Sequence, residues 1–564
     1  MKKIILSAII ICLALYGFTQ NYNWGKTLGG KAAEVVTGCA ADVNGNIYVT
    51  GYFRDTVDFD PGAGVFNLIS NGSFDDVFVL KLDLNGQFVW AKKFGGASTD
   101  AAFAITTYGD DVFITGTFLD NIQFGSFSLT QNGTGTASFV CKLDSAGNVV
   151  WANAIKNQSG GTIRSQAITT NKNGIIYTTG YFNGTIENNS ILYPADPGTL
   201  PGFIYKVDND GSNSTLQTLL GSAVECRGID IDNDNNIYVC GVYAGETDFD
   251  PGAGSMMANS VNFSRDIFVL KLATTTNNSW VRSIGIDGSM ESANALAVDD
   301  SANVYFTGAV RDTVDFSGNS SIVLTTGSQR DSYVAKLNAQ GETQWAYLIG
   351  NSDNQNGGQG LAIKIDPERN IYVGGNFGGK IDFDFGVDTF NMSTVFGGDD
   401  VYILKISSDA EFLWARRIGG ENQSDKIGGI AIQDENSFFV AGTFMGTTKL
   451  DPMGGSSPIV ANSNSFEDAF IIKYANSVIT SESDEATNLK AENIKVYPNP
   501  TTQTIFIDVT EEAWYYMYNL QGELVKTDNI TQKGAIDLSN FVSGLYLINI
   551  KKKNSSRVVK IMKL

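Results

Sequence analysis

Short apolar runs rich in Val, Ile, Phe and Tyr alternate along the chain with turns of Asp, Asn, Gly and Ser, and the alternation repeats. Such a rhythm predicts many short strands joined by hairpins. The phrase Gly45-Asn46-Ile47-Tyr48-Val49-Thr50-Gly51-Tyr52-Phe53 returns around Gly116, Gly180, Gly241, Gly308, Gly375 and Gly442, at spacings of 65, 64, 61, 67, 67 and 67 residues. A second phrase follows each copy, Val77 to Leu82 in the first and Ala469 to Tyr474 in the last. A third, Trp90-Ala91-Lys92-Lys93-Phe94-Gly95-Gly96, recurs at Trp151, Trp280, Trp345 and Trp414, with Leu216 to Gly221 as a degenerate form. The last copy of the second phrase lacks a third phrase behind it. Conversely, Trp24-Gly25-Lys26-Thr27-Leu28-Gly29-Gly30 has no repeat ahead of it. Complementary half-units predict a ring in which the first strand completes the last sheet, hiding edges that a linear array exposes. The expected fold is therefore all-β: a seven-bladed β-propeller over residues 20–475, closed by an N-terminal strand.

Inside a unit, turns such as Asp42-Val43-Asn44-Gly45-Asn46 supply hairpin chemistry, because Asn and Gly tolerate positive φ and Asp caps its own backbone. The strands are apolar on nearly every residue, as expected when both faces pack between neighbouring sheets. A Trp at one fixed position per unit reads as packing between units rather than as a sugar-binding platform. The repeats resemble the bacterial β-propeller repeat family over roughly residues 21–475, a resemblance that implies fold and little about activity.

The two ends read differently. Residues 1–19 carry Lys2 and Lys3, an apolar run from Ile4 to Leu15 and then Gly17-Phe18-Thr19, the pattern of a cleaved secretory signal peptide. Residues 476–493 lose the apolar period and read as a polar, acidic linker. Residues 494–564 hold alternating strand and turn signals that predict a small β-sandwich. This segment opens on Tyr497-Pro498-Asn499-Pro500 and holds a turn at Gly522, the strand Gly544-Leu545-Tyr546, and a basic end with Lys560 and Lys563. Together these resemble the type A C-terminal sorting domain of type IX secretion cargo. The resemblance implies passage through the periplasm and outer membrane of a Gram-negative bacterium, with the translocon and a surface sortase-like protease as partners.

Composition narrows the chemistry. The formal charge is −21, which argues against a nucleic-acid partner held through its phosphates. There is no histidine, which excludes His-based triads and dyads and every His-ligated metal site. No stretch of the mature chain is apolar for long enough to form a spanning helix. Cys39, Cys141, Cys226 and Cys240 are too few for a disulfide scaffold; Cys226 and Cys240 flank one hairpin and either pair there or sit as small buried hydrophobes with the other two.

Acidic pairs recur after the second strand: Asp58 and Asp60, Asp248 and Asp250, Asp382 and Asp384. Alternate residues of an extended segment share a face, so each pair brings two carboxylates together. Two readings stand: solvated structural turns, or weak oxygen-ligand sites for extracellular Ca²⁺. Their recurrence argues against a reaction centre, which needs an asymmetric group. Non-repeating acids such as Glu225, Glu291 and Glu421 are better candidates, although nothing in the sequence gathers them. The functional expectation is a secreted or cell-surface, non-catalytic binding or adhesion protein for an unknown glycan or protein. The alternative is an extracellular carbohydrate-active enzyme, hydrolase or lyase, working with carboxylates.

Overall fold

The computed structural model describes residues 20–564 except 275–277, 287–290, 328, 351–356, 395–397, 421–424, 451–458, 461–465, 477–494, 498–500, 502, 510–511, 519–523, 532, 540, 542–543, 552–555 and 564. Residues 1–19, read above as a signal peptide, and residues 477–493 of the expected linker thus lie outside the described residues. The fold is all-β; the one helical turn among the described residues is the 3₁₀ segment Val261–Phe263. The chain divides between residues 477 and 478 into two compact units.

In the larger unit, strands pair antiparallel in chain order. Glu34–Ala41, Ile47–Phe53, Asp76–Leu82 and Phe88–Phe94 form the first four-stranded set, and later repeats follow the same order. Ser214–Ile231 is long enough to end one set and begin the next. The set built from Lys426–Asp434, Ser437–Phe444 and Asp468–Asn476 takes its fourth strand from Gln20–Leu28, with Trp24 opposite Lys473 and Leu28 opposite Ala469. This is the pairing that the orphan Trp24 phrase predicts.

Local chemistry explains the hairpins. Asp42 Oδ1 accepts the N–H groups of Asn44 and Asn46, both at 2.9 Å. Its Oδ2 takes Asn46 Nδ2 at 2.7 Å and the Tyr48 hydroxyl at 3.0 Å. Gly45 sits at φ +80°, where a side chain would strain the turn. Asp232 with Asn236 and Tyr238, and Asp299 with Asn303 and Tyr305, repeat the arrangement.

Apolar clusters lie between neighbouring sheets. One joins Tyr48, Val77 and Trp90 of the first set to Val112, Ile114 and Phe139 of the second. Another joins Ile47 and Val49 of the first set to Phe439, Ala441 and Ile471 of the last. The tryptophans act at the same seams. Trp90 Nε1 donates to Ser145 O at 3.0 Å, Trp151 Nε1 to Asn209 O at 2.9 Å and Trp280 Nε1 to Ala339 O at 3.0 Å, each reaching the hairpin of the following set. Trp24 makes the same bond from the last set to the first, donating to Leu84 O at 3.2 Å. These rings serve packing.

Cys39, Cys141, Cys226 and Cys240 are buried and free. Cys226 Sγ faces Gly202, whereas Cys240 Sγ faces Gly228, so the hairpin holds two buried thiols and no disulfide.

The smaller unit has two antiparallel sheets, one of Lys495–Tyr497, Thr504–Asp508 and Lys533–Asp537, the other of Leu524–Ile530, Ala513–Tyr518, Gly544–Lys551 and Ser556–Lys563. Ile505, Ile507 and Ile536 of the first share one core with Tyr515, Met517, Ile548 and Ile561 of the second.

Candidate functional site

The acidic pairs singled out by sequence prove to be turn caps in their geometry. Asp58 Oδ1 accepts the amides of Asp60 at 3.0 Å and Phe66 at 2.8 Å, and Asp60 Oδ1 accepts Gly62 N at 2.8 Å. Asp248 takes Asp250 N and Met256 N, and Asp382 takes Asp384 N and Phe390 N. Asp250 and Asp384 cap Gly252 and Gly386 in turn. Among the described residues no group of three or more acids or cysteines gathers in a metal-holding arrangement.

A different set of acids is buried between adjacent sheets. Asp100 is fully buried; its Oδ2 accepts Gly96 N at 2.7 Å, while Oδ1 has no hydrogen-bond partner. Burial, reinforced by Asp76 across the seam, raises its carboxyl to about 8. Burial raises Asp425 to about 8 with help from Asp400, which itself rises to about 7 although Arg417 opposes the shift. Burial and Asp468 push Glu34 to about 9, and Gly30 N donates to its Oε2 at 3.1 Å. Perturbed acids often mark active sites. Here they recur at equivalent seams, which makes them part of the scaffold.

The asymmetric feature lies elsewhere. Each innermost strand carries a bulged residue without an opposed partner at the equivalent point of the ladder: Thr37, Phe103, Gln166, Arg227, Asn294, Leu361 and Gly428. Such bulges re-aim a side chain out of the pleat. All seven line one cavity of about 170 Å³. A small residue follows most bulges and lets neighbouring innermost strands approach; a Cβ on Gly228 would lie 3.1 Å from Leu296 N.

One end of this cavity is cationic. Arg227 donates to Asn294 Oδ1 at 2.9 Å and to Glu225 Oε2 at 2.8 Å, and Arg265 pairs with the other oxygen of Glu225. Arg330 Nη2 donates to Ser292 Oγ at 3.0 Å, and its Nε is buried without a partner. Arg164 lies over the Phe103 ring, 4.0 Å from the centroid. Burial lowers the Arg227 guanidinium; burial and then the charge of Arg227 lower that of Arg330. Of the acids proposed from sequence, Glu225 is clamped by two guanidiniums, Glu291 is buried beside Arg330, and Glu421 lies outside the described residues. The sequence reading missed the bulge ring. Its signal was a column that varies inside an otherwise uniform element.

In the smaller unit, Gly544 begins the strand Gly544–Lys551, Tyr546 is buried, and Lys560 lies opposite Leu547. Lys563 is buried and its Nζ donates to Phe541 O at 2.5 Å. Pro498, Asn499, Pro500 and Gly522 lie outside the described residues. Residues 495–564 match the secretion system C-terminal sorting domain family. This segment is a type IX secretion sorting domain. The sorting domain sends the protein to the cell surface or the extracellular space. No helix among the described residues is long and apolar enough to cross a membrane.

Over 511 residues the chain is 23% identical to an uncharacterized WD repeat-containing protein of Acanthamoeba polyphaga mimivirus, a match covering 75% of this chain and 36% of that relative. The chain thus spans about a third of the relative's length. Among solved structures it is similar to a protein of unknown function from Dyadobacter fermentans, at 8% identity and a TM-score of 0.36 over 81% of this chain and 99% of that one. It is also similar to a xylan β-1,4-xylosidase from Bacillus halodurans, at 10% identity and a TM-score of 0.27 over 81% and 88% of the two chains. Likenesses this distant carry no argument about activity.

Proposed function

We propose that the protein is a seven-bladed β-propeller displayed at the bacterial surface as a non-catalytic binding protein, with its ligand at the arginine-bearing end of the central channel. The leader is removed near Thr19–Gln20, the chain crosses the periplasm and outer membrane, and a sortase-like surface protease removes the sorting domain. Support for the ring comes from the innermost strands, each packed on the next, with Lys426–Asp434 packed on Glu34–Ala41.

The observation that carries the function is the bulge ring. Seven equivalent positions converge on one cavity, yet their side chains differ in size, polarity and charge. A scaffold element gains nothing from such variety, whereas recognition of an asymmetric ligand requires it. Glu225 is held in place by two arginines, which suits orientation better than proton transfer.

A glycan array and a cell-surface pull-down with the chain from residue 20 onward test this reading. Retention of a defined glycan or surface protein without turnover supports it. Hydrolysis or elimination on a polysaccharide panel, abolished by Glu291→Gln, would replace it with the enzyme reading.

A further inference from the structure

A second cavity, of about 250 Å³, opens on Arg330 and is lined by Gln329, Gln359, Asn376 and Asp399 together with Gly357 and Gly358. It is the size of one sugar ring, and its chemistry is mixed in a particular way. The carboxamides and Asp399 donate to and accept from hydroxyl groups, the planar polar side chains that polyols need. Asn376 accepts Ile427 N at 3.3 Å through Oδ1, so the NH₂ is the group it has left to offer. Glycines at two consecutive positions leave the floor bare, and a Cβ on Gly358 would lie 2.6 Å from Asn376 O.

The charge at this wall is out of balance. Arg227 and Arg265 both bear on Arg330; the first two share the single carboxylate of Glu225, and Glu291 offsets Arg330, so three guanidiniums face two of these acids. Arg330 keeps a buried Nε without a partner. This concentration of guanidinium stands in a chain whose formal charge is −21. The guanidinium donors not spent on Ser292 offer a carboxylate charge-assisted hydrogen bonds.

Resting on the binding reading above, we infer that this pocket takes a polyhydroxylated carboxylate, a sugar acid, either free or as the terminal residue of an acidic glycan. The carboxylate meets Arg330, and the ring hydroxyls meet Asp399, Asn376 and Gln359. A neutral sugar keeps the hydroxyl contacts and leaves Arg330 unmet. Acetate or phosphate meets Arg330 and leaves the polar wall unmet.

The test is calorimetry on the chain from residue 20 to 564 at fixed ionic strength. Galacturonate, a galacturonate trimer, galactose, acetate and phosphate are titrated into the wild type and into Arg330→Gln, Arg330→Lys and Asp399→Asn, with melting temperatures as the folding control. The inference expects galacturonate to bind at least about tenfold more tightly than galactose, acetate or phosphate. Arg330→Gln should lose that margin, Arg330→Lys should recover part of it, and Asp399→Asn should weaken both sugars. Tighter binding of the trimer than of the monomer assigns the site to a glycan end; equal binding assigns it to the free acid. Equal affinity for galactose and galacturonate, or an unaltered margin in a folded Arg330→Gln, overturns the inference. Acetate or phosphate binding as well as galacturonate overturns the sugar assignment. If the array ligand still binds Arg330→Gln, the binding function stands and this site falls; if the array and pull-down yield no ligand, the binding function itself falls.

Discussion

At the scale of single residues, the repeated side chains divide into caps and seams. Asp58 serves two amides, and replacing it with Ala should cost about 1 kcal/mol in urea unfolding by leaving them to water. Because those oxygens already serve the turn, chelation with EDTA should leave the melting temperature unchanged; a drop on chelation would reassign the loops to Ca²⁺. The tryptophan seams make a sharper prediction. Gly147 sits at φ +79°, and a Cβ there would lie 3.0 Å from the Trp90 ring. Gly147→Ala should therefore destabilise by about 2 kcal/mol, and Trp90→Phe, which removes the bond to Ser145 O and part of the ring packed against Tyr48, by about 1–2 kcal/mol. Equal stability of both variants with the wild type would contradict the seam. Trp90 was legible as packing because it recurs; Arg330 was not legible as a site residue. It shares a column with Arg265, Asp75, Asp399 and Glu467, just ahead of the third strand, and only the fold turns that column toward Arg227.

At the scale of strands and sheets, the buried acids set a pH dependence. Asp100, Asp425, Asp400 and Glu34 have folded values of about 8, 8, 7 and 9, whereas an unfolded carboxyl titrates near about 4. The folded chain therefore holds protons that the unfolded chain has released. Their stabilising effect is complete below about pH 4 and is lost as pH rises through the folded values, so stability falls with pH. Melting temperature should drop by about 5 °C or more from pH 5 to pH 9.5. Asp100→Asn, a neutral isostere, should remove part of that slope; a melting temperature that rises over this window contradicts the assignment. Strand periodicity exposed the elements themselves, since residues such as Val77 to Leu80 are apolar without interruption and wholly buried. Periodicity could not expose the bulges. One extra residue, Arg227 among them, slips the register by one position, and a slip changes which face a side chain takes without changing composition.

At the scale of the whole molecule, export and ring closure are separable. Removing residues 495–564 should leave a folded larger unit that accumulates inside the cell envelope, read by fractionation and immunoblot; undiminished surface delivery would mean that the sorting domain is dispensable. The pairing of the first strand with the last was legible because Trp24 opens a phrase that lacks its own repeat, and the bond from Trp24 to Leu84 repeats the bond from Trp90 to Ser145. Lys473 Nζ reaches the same Leu84 carbonyl at 3.1 Å, as Lys81 reaches Ser145 O at 3.1 Å. Closure is tested most directly by a covalent link across the seam. Lys26 lies opposite Ile471 in the ladder, so the double variant Lys26→Cys, Ile471→Cys should oxidise to a disulfide. Mass spectrometry should find the two peptides joined in most molecules, and Lys26→Cys paired with Ile403→Cys should give no link. Failure of the first pair in folded protein, or a link in the second, would contradict a ring completed by the start of the chain.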